Sequence, residues 1–292
     1  MSDFADSTLL VTGANGHLGR IVVEELLRRG ASRVVAGTRD PSQLEDLAAK
    51  GVEVRRMDFD DAGSMAAGFA GVDRALLIST LAPNRAQHQA AAVAAAKAAG
   101  VSYLAYTSAP NARPNVEAGG ITDHYWTEVA IAASGLEFTL LRNHIYADMT
   151  VIGAAPALSS GQLFDATNGG GRNYVTRADA ARAAAGALLT ATGKTILDIT
   201  GPAPVTQEQV AALYTRLTGK PVARIGLSAE QLRSGLEAAG VPSFMAQLLV
   251  AFDLDAAEGH HAVITDAVER LTGQEPQSLE SFLEENKAAL TA

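Results

Sequence analysis

Cysteine is absent from this 292-residue chain. Its absence excludes disulfides, zinc–thiolate centres and a cysteine nucleophile. It is compatible with a reducing compartment, and the cytoplasm is the expected location. Long apolar runs are absent too. The alanine-rich stretch 90–99 is too short to span a bilayer, and Gln87, His88, Gln89 and Lys97 interrupt or flank it. Residues 1–7 show no basic region followed by an apolar core, so they do not read as a secretory leader. Blocks of Lys or Arg are missing, and the net charge of −9 repels a polyanion on average. No nucleic-acid partner and no membrane are therefore expected. Internal repeats and long disordered linkers are also lacking.

What remains is an ordinary globular balance, 48% hydrophobic and 19% charged. The length suits one large domain, or a nucleotide-binding domain with a smaller lobe.

Strand and helix patterns alternate from the start. Short β-branched runs at 8–12, 33–37, 52–57, 74–79, 101–107 and 137–141 read as strands. Helical periodicity falls between them, at 17–29, 41–50, 62–70, 85–99 and 122–134. Repeated βα units predict an α/β, Rossmann-type, doubly wound parallel sheet. Its expected order is 3-2-1-4-5-6, with ligands at the carboxyl ends of the strands. Beyond about residue 150 the rhythm weakens. Residues 159–172 are glycine-rich and read as a loop, 178–191 as a helix and 195–200 as a strand. Thr206-Gln-Glu-Gln209 and Ser228-Ala-Glu-Gln231 fit the capping box that opens helices. This divides the chain into a dinucleotide-binding domain, 1–150 with 173–203 returning to it, and a smaller, mostly helical C-terminal lobe within 151–292 that covers the substrate.

Between the first strand and helix stands Gly13-Ala-Asn-Gly16-His-Leu-Gly19. The spacing is GxxGxxG rather than GxGxxG, but the physics is shared. Gly13 allows the turn, Gly16 lets the backbone approach a pyrophosphate, and Gly19 lets the helix pack closely. Free amides at the helix start hold the anion.

The end of the second strand discriminates NADP from NAD. It reads Ala36-Gly37-Thr38-Arg39-Asp40-Pro41. Asp40 stands at a ribose-binding distance from the glycine loop. Yet it precedes a proline that suits the first helical position, so Asp40 fits an N-cap. Arg39 is then left to face a 2′-phosphate. Asp58, after the third strand, stands where an adenine would lie, and is equally placed to cap the next helix.

These residues, with Gly71-Val-Asp-Arg-Ala-Leu-Leu-Ile-Ser79, Ala105-Tyr-Thr-Ser108, Thr139-Leu-Leu-Arg-Asn143, Tyr146, Val175-Thr-Arg-Ala-Asp179 and Leu271-Thr-Gly273, are similar to the NmrA-like group of atypical short-chain dehydrogenases/reductases. The chain resembles in particular the bacterial NADPH:quinone oxidoreductases and triphenylmethane reductases of that group. The resemblance implies an NADPH site made of Gly13, Asn15, Gly16, His17, Leu18, Gly19, Arg39, Asp58, Phe59, Ser79, Thr80, Thr107 and Asn143. It implies a small-molecule acceptor over the nicotinamide, and it is compatible with a homodimer.

Typical short-chain dehydrogenases carry Tyr-x-x-x-Lys on the helix after the fifth strand. Here Tyr125 takes the tyrosine position and Val129 that of the lysine. Without the cation nothing evident lowers the phenol pKa, so Tyr125 is only a weak catalytic candidate. Reducing a ketone makes an alkoxide that needs an acid. A reduced quinone is an anion stabilised by its own ring, and a cationic dye develops no negative charge. The sequence thus leans toward quinone-like or cationic acceptors, with His124, Tyr125, Asn143 and Tyr146 as the polar groups beside them. His124 reads equally as a surface or helix-capping residue. The remaining histidines, including His260-His261, read as solvated side chains without a carboxylate pattern, and no metal is expected. Two other functions fit the missing lysine or the wider group: a dinucleotide-binding redox sensor without turnover, and a carbonyl or aryl-ether reductase.

Overall fold

A computed structural model describes residues 4–82, 84–114 and 119–291. Residues 1–3 of the N-terminal segment read above lie outside the described residues.

Seven parallel strands form the central sheet. β1 (Thr8–Val11), β2 (Arg33–Thr38), β3 (Glu53–Arg56), β4 (Arg74–Leu77), β5 (Tyr103–Ser108) and β6 (Glu137–Asn143) stand in the order 3-2-1-4-5-6, and Lys194–Ile199 adds a seventh strand beside β6. Side chains alternate across each strand. Leu9 and Val11 join one core layer while Leu10 joins the other. β4 is buried at every position, as a strand covered on both faces must be.

The first layer lies under α1 (His17–Arg28), the second under helices from the middle of the chain. α1 buries the stripe Leu18, Val22, Val23 and Leu26, and the chain leaves it through Gly30 at φ +83°. The segment after β2 opens as a 3₁₀ turn, Pro41–Leu44, and only then becomes the short α2 (Glu45–Ala48). α3 (Ala62–Gly68), α4 (Arg85–Ala98) and α5 (Gly119–Ser134) follow in the second layer. The return to the sheet is made by α7 (Arg177–Thr190), after α6 (Asp148–Ser160). α7 packs on α1 through small residues, Ala180, Ala183, Ala184 and Ala187. Its last carbonyls, of Ala187, Leu188 and Ala191, accept from the buried guanidinium of Arg74, which also lies over the Tyr103 ring at 3.7 Å.

The stretch 159–172 corrects the loop expectation. α6 runs to Ser160, Gln162–Asp165 pairs in parallel with Ala223–Gly226, and Arg172–Val175 pairs with Ile145–Tyr146 and Pro204–Val205. The true loop is only the few residues between those two strands. Short two-residue pairings leave little periodicity to read, and the glycines there serve packing: a Cβ at Gly170 would strike the Ala256 carbonyl oxygen. Both capping boxes are present, at Thr206 and Ser228. No helix among the described residues is long and apolar enough to cross a membrane.

Candidate active site

The carboxyl ends of β1, β2 and β3 form one half of the site. Gly13 takes φ +60°, a left-handed value that favours glycine. The loop is pinned from outside: Ala14 donates to the Gly37 carbonyl (3.0 Å) and Thr12 to the Leu76 carbonyl (3.0 Å). A Cβ on Gly19 would land on the Gly13 carbonyl and lie 2.8 Å from Ala14 Cα. Gly19 therefore lets the helix close on the loop's own backbone. Gly13, Asn15, Gly16 and His17 are exposed, Leu18 is buried, and no side chain caps the start of α1. The first-turn amides of α1 are thus left without a side-chain cap.

At the end of β2, Asp40 accepts from the Ser42 amide (3.1 Å), the Ser42 hydroxyl (2.6 Å) and Gln43 Nε2 (2.9 Å). The Ser42 and Gln43 side chains hold its carboxyl below the usual range. Asp40 is a cap, as expected, and is turned away from a ribose role. Arg39 is exposed and makes no hydrogen bond or ion pair among the described residues. β2 runs one residue past Gly37, whose Cβ would meet Met57 Sδ at 2.5 Å, so this glycine answers to packing under β3. The alternative role for Asp58 is corrected: Asp61 caps α3 by accepting from the Ser64 amide (3.0 Å). Asp58 accepts from the Asp60 amide, and Phe59 packs against the second core layer.

The ends of β4, β5 and β6 make the other half, built from buried and half-buried side chains. Thr107 Oγ1 accepts from the Ser79 amide (2.9 Å) and lies 3.2 Å from the Ser79 hydroxyl. The Thr80 amide donates to Gln89 (3.2 Å), its carbonyl accepts from Arg85 (2.9 Å), and its own buried hydroxyl has no partner. Asn143 donates from Nδ2 to the Tyr146 hydroxyl (3.0 Å), while its buried Oδ1 has none. Burial raises the Tyr146 phenol, so it stays protonated. Tyr125 is half-buried, edge-on to Trp126 at 5.1 Å, and Val129 in the lysine position is 40% exposed.

Neither surface reading of His124 holds. The ring is buried with Nδ1 2.8 Å from the Tyr106 hydroxyl, and burial, then the Arg85 cation, pushes its pKa down to about 3. The solvated reading fails for His261 as well, which is 0% exposed, and whose pKa burial and then the nearby His144 lower to about 4. His260 lies 3.5 Å from both Asp255 and Glu258, so the fold supplies carboxylates the sequence did not show. Asp255 is held by Arg113 through two contacts (2.6 and 3.1 Å).

Sequence reasoning missed the anchors. Glu128 accepts from the Ser108 hydroxyl (2.6 Å) and from Arg142 Nε and NH2 (2.9 and 2.7 Å), tying α5 to the ends of β5 and β6. Arg85 and Gln89, one turn apart on α4, clamp the Thr80 peptide. Their signal was available: Gln89 stands one helical turn before the inward-facing Ala92, Val93 and Ala96, and Glu128 one turn before Ile131.

A family model described as NAD(P)H-binding matches residues 13–191, more than half the chain. The chain belongs to the NAD(P)H-binding family. It is 36% identical over 255 residues to quinone oxidoreductase 2 of Escherichia coli, covering 86% of this chain and 88% of that one. The crystal structure of the E. coli NADPH-dependent quinone oxidoreductase QOR2 with NADPH superposes with a TM-score of 0.90 at 33% identity, over 97% of this chain and 99% of the other. The Citrobacter sp. triphenylmethane reductase with NADP(H) gives 0.87 at 30% identity, over 95% and 99%.

Proposed function

We propose that this protein is an NADPH-dependent oxidoreductase that delivers hydride to a quinone-like small-molecule acceptor. The carrying observation is the contrast at one sheet edge: an exposed glycine loop and a free Arg39 at one end, and the Asn143–Tyr146 pair without a lysine-assisted tyrosine at the other. The likeness to quinone oxidoreductase 2 and to the triphenylmethane reductase supports it.

The residues present fit the dinucleotide. Amides of His17 and Leu18 would take the pyrophosphate and Arg39 the 2′-phosphate. Asp58 and Phe59 lie at the adenine end. Ser79, Thr80, Thr107 and Asn143 would border the nicotinamide half. When bound, the cofactor supplies the hydride. The chain's contribution is placement and polarity. Because Asn143 donates to the Tyr146 oxygen, the phenolic proton is left to point elsewhere, toward an acceptor oxygen. A quinone needs only such donors, since its ring spreads the charge that arrives.

We assign residues 1–150 with 173–203 to the dinucleotide half and the rest to a cover. Its helix Ser243–Ala257 reaches back over the start of α5, where Leu248 stands beside Gly120, and Asp255 on the same helix grips Arg113. Steady-state NADPH oxidation with quinones, cationic dyes and simple ketones tests the reading. Turnover of quinones well above ketones is expected. Tight NADPH binding without turnover of any acceptor would instead show a binding module.

A further inference from the structure

A chain of hydrogen bonds with one readable direction crosses the acceptor half. It starts at the Thr80 peptide, whose N–H can only donate, and donates to Gln89 Oε1 at 3.2 Å. That fixes the amide: Gln89 Nε2 faces Thr127 Oγ1 (2.9 Å) and the Tyr106 hydroxyl (3.2 Å). Thr127 passes its own proton to the Asp123 carbonyl (2.9 Å), so it receives from Gln89. Tyr106 also receives from Gln89. Gln89, Tyr106 and Thr127 are all fully enclosed; Thr127 also stands beside the Tyr106 hydroxyl, and the short contact offered to the Tyr106 proton is His124 Nδ1 at 2.8 Å. Nδ1 is thus an acceptor, and the proton of the neutral ring sits on Nε2.

Two features keep the ring neutral. It is buried, and the Arg85 cation beside it bonds the Thr80 and Gly120 carbonyls and Asp123 (3.1 Å). Arg85 links the two ends of the chain, bonding the Thr80 carbonyl past the end of β4 and standing beside the His124 ring on α5.

We infer that His124 is a hydrogen-bond donor to the acceptor's oxygen through Nε2–H, in a tautomer imposed from the Thr80 peptide with Gln89 and Tyr106 as positioning residues. This rests on the reductase reading of the same site. No proton leaves the ring. A neutral imidazole is too weak an acid to give one, but its N–H can polarise an oxygen. That suits a quinone, whose ring already spreads the incoming charge.

Nitrogen-15 NMR of the uniformly labelled protein reads the tautomer directly, with the His124 ring identified by its loss in His124→Leu. The expected pattern is protonated Nε2 and bare Nδ1 from pH 5 to 8. Tyr106→Phe should mix the tautomers. With a quinone acceptor, His124→Leu should lower kcat about 10–100-fold and Tyr106→Phe less, both with NADPH affinity within about twofold of wild type. Protonated Nδ1, or a ring titrating near pH 6.5, would overturn the directed chain. Wild-type kcat in a His124→Leu protein that binds NADPH normally would overturn the donor role. A wild-type protein that turns over no acceptor would overturn the reductase reading and the donor role together, while the NMR pattern would still judge the hydrogen-bond chain.

Discussion

The two halves of the sheet edge solve different problems with different materials. At β1–β2–β3 the groups we assign to the ligand are backbone amides and an unpaired, exposed arginine, shaped by the Gly13–Gly19 loop, by its backbone bonds to Gly37 and Leu76, and by the Asp40 cap. At β4–β5–β6 they are side chains on separate elements, buried or half-buried, and cross-braced by Arg85, Gln89 and Glu128. An anion is a demanding but generic ligand, and a helix start with a close backbone serves it. An acceptor awaiting hydride must be placed to within about half an ångström, which only side chains locked by a second set of contacts achieve. The first half should therefore fail by losing affinity, the second by losing turnover.

Gly16→Val presses hardest on that contrast. The Cβ already stands 3.2 Å from the Gly13 carbonyl, and the branched side chain fills the anion's approach. Calorimetry should find NADPH binding abolished in a protein that still unfolds cooperatively. Near-normal affinity would remove the loop from the site. Next comes Asn143→Ala, which takes the partner from the Tyr146 hydroxyl. Quinone turnover should drop about 100-fold or more, a larger loss than any in NADPH affinity. A pure affinity loss would erase the distinction between the halves.

Acid should also act on the second half first. The folded pKa of His124 lies at about 3, below its unfolded value of about 6.5. The unfolded chain therefore binds the extra proton across that window. Stability from this group is full above pH 6.5 and is lost as pH falls toward 3, at up to about 1.4 kcal/mol per unit. His261, lowered to about 4, adds to the slope. Denaturant midpoints for wild type and His124→Leu between pH 7 and 5 measure it, and parallel curves would refute the assignment.

Arg39→Ala should weaken NADPH binding about 10–100-fold and leave NADH unchanged, the scale of hydrogen bonds to a charged group. Equal losses for both cofactors would show that Arg39 does not read the 2′-phosphate. The smallest effect is expected of Tyr125→Phe, under tenfold in quinone kcat. Several orders of magnitude lost there, with ketones turning over well, would restore a tyrosine acid and a carbonyl reductase.

Legibility follows the same divide. The glycine loop, the Asp40 cap, both capping boxes and the 3-2-1-4-5-6 order depend on residues close in sequence or on the repeated βα rhythm. Gln89 read only as an interruption of an alanine run, because the Thr80 amide and Tyr106 that employ it lie on other elements. Glu128 was passed over for the same reason, with partners at Ser108 and Arg142. His261 seemed one of a solvated pair until the fold closed Phe252 and His144 around it.

The sequence by itself determined the parallel sheet and its strand order, the glycine loop and the Asp40 cap, since turns, caps and periodicity are local properties of the chain. Tertiary structure alone decided that the strand read at 195–200 pairs beside β6, that Phe252 and His144 enclose His261, and that His124 is buried against Tyr106 with Arg85 beside it. Each of those depends on what desolvates or accepts from a group across the fold, and burial by distant elements leaves no periodic mark in the sequence.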